Sequence, residues 1–336
     1  MGLLKNLLYS ASSEKMLNFF TDQTIFTYYH TVNNEKLNYL DNLFSFKNEK
    51  HFKNDIELLL NNYQPLNPDF FLKDFKYNQI PKNHFLLTFD DGLSQIFDVV
   101  APILYEKKIS AIFFVNPHYI DNKNFFVRHV ISVLIDIILN NKYDKEIIQE
   151  INYLLSLKKS SSKSLLINDL KKINFDSENI LLRITELLKV DINTELKKKK
   201  PFISKNQIKE MIDMGFYFGG HTMTHPRLNT INYNDQKKEI IDSINWLKLN
   251  FKINYSFFAF PYTDRGISKK LIKSIFKYDN SSIVFGNSGL KKDFDERIIQ
   301  RFSLEKPNQN TSKLIVSENL YKFCNKLIGN YNITRN

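Results

Sequence analysis

The strongest constraint on the fold lies between residues 84 and 115. Residues 84–89, with Phe85-Leu86-Leu87, form a compact apolar run that stops at Asp90-Asp91-Gly92. Ile96, Val99, Val100, Ile103 and Leu104 follow at helical spacing, and Ala111-Ile112-Phe113-Phe114-Val115 is a second apolar run. A strand, a helix and a strand in so short a stretch make a βαβ unit. That unit implies parallel strands joined by a right-handed crossover.

The same rhythm extends outward. Strands are predicted at 25–32, 216–221, 255–260, 282–285 and 298–302, and helices at 53–60, 234–249, 268–276 and 312–328. Ser204-Lys205-Asn206-Gln207 reads as a capping box opening another helix, whose inner face is Ile208, Met211 and Ile212 and which Gly215 stops. Residues 121–203 break the alternation. Segments 125–139, 145–157, 164–173 and 178–188 all carry helical spacing, with a Lys/Ser joint at 158–164. The expected fold is therefore α/β: a barrel of about seven strands, one domain over residues 1–336, with a helical insertion at 121–203.

Composition narrows the function. The net charge of +11 suits a phosphate-bearing substrate or peripheral association with an anionic membrane face. The lysines are dispersed, and the densest run, Lys197-Lys198-Lys199-Lys200, reads as a solvated linker or a membrane-facing patch. No nucleic-acid-binding motif accompanies it, so nucleic acid is not an expected partner. A lone cysteine, Cys324, rules out an intrachain disulfide and a thiolate metal cage. The first residues are too broken by polar side chains for a secretory core, and no apolar run is long enough to span a bilayer. The expected location is the cytoplasm, with the inner membrane face as the setting for peripheral association.

Chemistry concentrates in two motifs. Thr88-Phe89-Asp90-Asp91-Gly92 ends one apolar run, and His221-Thr222-Met223-Thr224-His225-Pro226 follows another, Phe216–Gly220. Two imidazoles and one carboxylate suffice to hold a divalent metal with positions left for water and substrate. The second carboxylate is then available as a base. On an extended chain adjacent aspartates point apart; in the turn after the strand one can bind metal while its neighbour takes a proton. Both motifs sit after predicted strands, where active sites of parallel α/β folds gather.

These motifs resemble those of polysaccharide deacetylases with the NodB homology domain, carbohydrate esterase family 4. Thr88-Phe89-Asp90-Asp91-Gly92 looks like the first family motif and His221-Thr222-Met223-Thr224-His225 matches the second. Phe258-Ala259-Phe260-Pro261-Tyr262 is similar to the third, and all three come in the family's order. The resemblance implies a distorted (β/α) barrel and a metal-dependent deacetylase acting on a carbohydrate. By position, Asp90 is the expected base and Asp91, His221 and His225 the metal ligands. The backbone N–H of Tyr262 is expected to support the oxyanion. The resemblance implies a divalent metal, zinc first, with cobalt, nickel, manganese or iron as alternatives.

The chain departs from the family in two places. Ala259 stands where the third motif normally has an arginine that orients the base; Arg301, at the end of a predicted strand, is the expected substitute, ahead of Arg265. No histidine follows His225, so the family's late acid histidine is missing. Tyr28-Tyr29-His30-Thr31-Val32 resembles the early Tyr-His segment of circularly permuted members, which makes His30 the expected acid, ahead of His118. The expected activity is removal of an acetyl group, N-linked before O-linked, from a sugar of a polysaccharide or of a lipid- or nucleotide-linked precursor in surface-glycan synthesis. Amide hydrolysis of a small non-sugar substrate and a non-catalytic carbohydrate-binding role are the alternatives.

Overall fold

Nine strands form one parallel sheet in the computed structural model, which describes residues 3–73, 79–141, 143–155, 163–173 and 178–336. They are β1 (Ile25–Tyr29), β2 (Gln64–Pro65), β3 (His84–Phe89), β4 (Ala111–Val115), β5 (Tyr217–Gly220), β6 (Phe257–Ala259), β7 (Ile283–Gly286), β8 (Ile298–Gln300) and β9 (Phe302–Ser303). Their order is β8-β7-β6-β5-β4-β3-β1-β9, with β2 paired to β3. The last two strands are halves of one stretch. Ile298–Gln300 pairs with β7, and one residue later Phe302–Ser303 pairs with β1. The sheet thus curls into a nearly closed barrel whose ends meet at Arg301. Counting β8 and β9 as one stave and leaving out the two-residue β2, which lies off the path, gives seven, the number expected.

Apart from the exposed β2, the strands are largely apolar because both faces are buried. Phe26, Leu86, Ile112, Phe114, Phe257, Ala259, Phe285 and Ile299 pack together inside the barrel. Their neighbours in sequence, among them Ile25, Phe85, Leu87 and Phe113, pack outward against the helices. Alternation then fixes what reaches the barrel mouth: Tyr28 and His30 continue the face of Phe26, Thr88 and Asp90 that of Leu86, and Arg301 that of Ile299. Gly219 is required where β5 passes β4, since a Cβ there would lie 2.5 Å from the Phe114 ring.

The crossover after β3 is less regular than its spacing predicts. Residues Ile96–Val100 form a π-helical turn before the α-helix Ala101–Glu106. Pro102 explains this: it lacks an N–H and crowds the carbonyl four residues back, so the preceding turn widens. The capping box is present, with Ser204 and Gln207 each accepting from the other's backbone N–H.

Contacts divide the described chain into two units, one of residues 1–34, 46–120 and 203–336 and one of 35–45 and 121–202. The first carries the barrel. The second contains helices Val127–Asn140, Lys145–Leu154, Lys163–Leu170, Glu178–Leu187 and Ile192–Lys199 around a core of Ile131, Leu134, Ile135, Ile138 and Ile184. The lysine run expected as a linker or patch is no linker: it forms the last turn and cap of Ile192–Lys199, where cations complement the helix dipole, with Lys197, Lys198 and Lys200 exposed. Of the joint expected at 158–164, residues 158–162 lie outside the described residues.

The C-terminal tail is fastened to the barrel by a buried ion cluster. Arg335 Nη2 lies 2.6 Å from both Asp264 Oδ2 and Asp293 Oδ2, and Gln300 Nε2 donates to the same carboxylates at 2.9 and 3.0 Å. Burial opposes the charge of Asp264, but Arg335 and Gln300 outweigh it and hold the carboxyl below its ordinary range. Because the folded pKa is lowered, this stabilisation is full above the unfolded value of about 4 and fades as pH falls through the folded value. Arg335→Gln should cost about 3–5 kcal/mol in denaturant unfolding at neutral pH, by stranding buried carboxylates. The difference from the unsubstituted protein should shrink on acidification below about pH 4 and vanish only as pH falls through the lowered folded value, where Asp264 protonates in the unsubstituted protein too.

Candidate active site

Strand β3 delivers Asp90 and Asp91 to the mouth of the barrel on diverging paths. Asp90 continues the inner face, and its N–H donates to Tyr29 O at 2.9 Å, tying β3 to β1. Its carboxylate meets Arg301 end-on: Nη1 to Oδ1 is 2.8 Å and Nη2 to Oδ2 is 3.0 Å. Arg301 is fully buried, and its remaining donors reach Thr88 Oγ1 at 2.6 Å and Gly286 O at 3.2 Å. The guanidinium lies over the rings of Tyr28 and Phe114, 5.1 and 5.2 Å from their centroids. Burial disfavours a charged Asp90, yet the adjacent guanidinium more than offsets this and holds it below the usual carboxylate range. Arg301, not Arg265, makes this contact; Arg265 is exposed.

Asp91 turns the other way because its backbone is left-handed, with φ of 74°, and Gly92 follows at 64°. Asp91 Oδ1 comes to 3.4 Å from His221 Nε2 and 3.1 Å from His225 Nε2. The three potential ligand atoms lie within 4.8 Å of one another. His221 Nδ1 is 2.8 Å from Ala259 O. A carbonyl only accepts, so Nδ1 donates there and Nε2 is the ring nitrogen turned toward Asp91. Burial pushes His225 below its ordinary value, towards the neutral ligand form. Asp91 Oδ1 is buried and makes no well-aligned hydrogen bond among the described residues. An orphaned carboxylate oxygen facing two imidazole nitrogens fits a divalent ion of zinc-like preference.

The histidine loop is held from behind. Asn116, one step beyond β4, donates to Thr222 O at 3.0 Å and also to His221 O. Glu239 accepts from the N–H and hydroxyl of Thr224, both at 2.9 Å. Strain gathers here: Asp91, Thr222, His225 and Tyr262 all have φ between 54° and 74°. Left-handed backbone at non-glycine residues costs about 1–3 kcal/mol each and marks functional sites.

His30 and Tyr262 flank the cluster. The Tyr262 ring is 4.6 Å from the His225 ring and is 38% exposed. His30 Nδ1 is 2.7 Å from Glu305 Oε2, and the N–H groups of His30 and Thr31 donate to Glu305 Oε1 at 2.8 and 3.1 Å. Burial works against a charged His30, but Glu305 overrides it, and the pKa is pushed up to about 10. About 26% of the His30 side chain reaches solvent. His118 is exposed, its backbone N–H bonded to Met223 O. Sequence reasoning missed Glu305, Thr88, Asn116 and Glu239. Glu305 and Asn116 had a signal, a polar residue just past a strand's C-terminal end. Glu239 had none, since it lies in the helix Tyr233–Phe251.

A parallel α/β barrel with carboxylates and imidazoles at the C-terminal mouth defines a (β/α)-barrel enzyme. The chain matches the polysaccharide deacetylase family model over residues 77–279 and belongs to that family. Solved structures share the fold. The Streptococcus pyogenes deacetylase PplD in complex with acetate is 16% identical with a TM-score of 0.55, the match covering 88% of this chain and 98% of that one. IcaB from Ammonifex degensii is 16% identical with a TM-score of 0.50, over 88% and 96%. The de-N-acetylase from Aggregatibacter actinomycetemcomitans is 14% identical with a TM-score of 0.52, over 87% and 98%. No curated protein sequence matches the chain.

The Glu305–His30 pair yields a direct expectation. In metal-free Glu305→Gln protein the His30 imidazole should titrate well below about 10, because the largest influence opposing burial is gone and only the weaker pull of Asp91 and Asp90 remains. Histidine ring NMR over a pH series measures it; an unmoved midpoint would show that Glu305 does not hold the proton.

Proposed function

We propose that this protein hydrolyses an acetyl group, N-linked before O-linked, from a sugar of a polysaccharide or of a lipid- or nucleotide-linked precursor in surface-glycan synthesis. The observation that carries the reading is one carboxylate gripped by a buried arginine beside a cluster of one carboxylate and two imidazoles. The family match runs from 77 to 279, across the helical unit, which supports reading that unit as an insertion within one deacetylase domain.

Asp91, His221 and His225 would hold a divalent metal, zinc first. When bound, such an ion supplies Lewis acidity toward the acetyl oxygen and lowers the pKa of water. The chain's own groups do the proton chemistry. Asp90, kept ionised by Arg301, accepts a proton from the attacking water as its oxygen bonds to the acetyl carbon. The backbone N–H of Tyr262 supports the developing oxyanion. His30, kept protonated by Glu305, donates to the sugar nitrogen as the C–N bond breaks, and acetate and a free amine leave. Arg301 takes over from β8–β9 the orienting work that the family assigns to the position of Ala259.

For the setting, we read a cytoplasmic protein at the inner membrane face. No described helix is long and apolar enough to cross a membrane. The exposed Leu3, Leu4 and Leu7 of the helix Leu3–Ala11, together with the net charge of +11, support peripheral association with an anionic surface.

With metal supplied, acetate release from N-acetylglucosamine oligomers should be detectable. Asp90→Asn should lower kcat by about 10²–10⁴ while metal content stays the same. Retained turnover in that variant would remove Asp90 from the role of base. His221→Ala should lose the bound metal, read by elemental analysis of purified protein; full occupancy would overturn the ligand set.

A further inference from the structure

Next to Tyr28 and Tyr262 lies a cleft of about 640 Å³ that the deacetylation chemistry does not use. It begins at the site: Tyr28 covers the Arg301 guanidinium, and Tyr262 packs on His225. Asn287 donates to Tyr262 O at 2.8 Å, which couples the cleft wall to the backbone beside the reaction. The C-terminal tail forms another wall. Its register is set by Lys292 N–H to Tyr331 O at 3.2 Å and Ile333 N–H to Lys292 O at 2.8 Å, and Arg335 pins its end in the buried ion cluster.

The charges in this cleft are one-sided. Lys5, Arg265 and Lys291 line it, and none of the described lining residues is acidic. Lys5 is answered by Glu318 from outside the lining. Arg265 and Lys291 have no ion-pair partner among the described residues, although Lys291 is half-buried. A site for neutral sugar hydroxyls would mix donors with carboxylate acceptors. Here lysine and arginine contribute donors only, and no carboxylate balances them. Such a wall recognises an acceptor-only anion.

Resting on the deacetylase reading, we propose that this cleft binds an anionic substituent of the substrate glycan, a phosphate or a carboxylate on a sugar near the acetylated one, through Arg265 and Lys291. The enzyme then prefers acidic N-acetylated glycans to neutral ones.

The test is a binding titration on metal-loaded Asp90→Asn protein, which should bind without turnover. Three probes are used: the N-acetylglucosamine tetramer, the same tetramer with a terminal phosphate, and an alternating N-acetylglucosamine–glucuronate tetramer. At low salt at least one acidic probe should bind about tenfold more tightly than the neutral one, and salt should erase the difference. Adding Arg265→Gln and Lys291→Gln should abolish the preference and leave neutral binding and melting temperature unchanged. Which acidic probe gains identifies phosphate or carboxylate. Equal binding of all three, or a preference that survives the double substitution, overturns the proposal. Selective binding with no acetate release by the unsubstituted enzyme would support the cleft and overturn only the deacetylase reading.

Discussion

The bidentate pair between Arg301 and Asp90 is the interaction on which the site depends. Both groups are buried, so each loses most of its hydration, and such a pair is favourable only when nearly every donor and acceptor is met. Here Nη1 serves Asp90 and Thr88, Nη2 serves Asp90, and Nε serves Gly286. The planar guanidinium also stacks among aromatic rings, which a lysine could not do. The residue stands where β8 hands over to β9. Its own N–H donates to Gly286 O at 3.2 Å, and its carbonyl accepts from Gly289 at 3.0 Å. Closing the barrel and aiming the carboxylate are therefore done by one residue.

Two adjacent aspartates can have different roles because one backbone torsion separates them. Asp90 keeps the strand's alternation and faces the barrel interior. Asp91 sits at φ 74° and faces the histidines. The histidines themselves are placed by a loop and not by a helix. Thr222 and His225 adopt left-handed conformations, and Asn116 and Glu239 fix the carbonyls and N–H groups that such a loop leaves unpaired. This strain persists only because the surrounding hydrogen bonds over-determine it, and the return is one carboxylate and two imidazoles brought together at the barrel mouth.

Much of the fold was legible because parallel strands buried on both faces have no polar positions to confuse the pattern. Phe85-Leu86-Leu87 and Ala111–Val115 could be read as strands from composition alone. What escaped was everything that depends on contacts distant in sequence. Gln64–Pro65 is too short and too exposed to read as a strand. The run 298–302 read as one strand, and only pairing on opposite sides divides it at Arg301. Asp90, Asp91, His221 and His225 were visible because short motifs name them. Glu305 was not, since its place just past a strand end is a weak signal without its partner, which lies 275 residues away.

That separation follows from barrel closure. In a closed parallel barrel the first and last strands are neighbours, so a functional group can come from either end of the chain without moving in space. β1 pairs with β9, with Thr27 opposite Phe302 and Tyr28 opposite Ser303. His30 and Glu305 each lie two residues beyond that last matched pair, and the register therefore makes them meet. An imidazole at the start of the chain and a carboxylate near its end become one unit through strand pairing. This is the physical reason that the absence of a late histidine leaves room for an acid at the barrel mouth. The same neighbourhood holds Arg301, so both charged pairs at the barrel mouth hang on the single seam where the sheet closes. Slippage of the β8–β9 stretch by one residue along that seam would turn Arg301 to the outer face and take Glu305 out of register with His30.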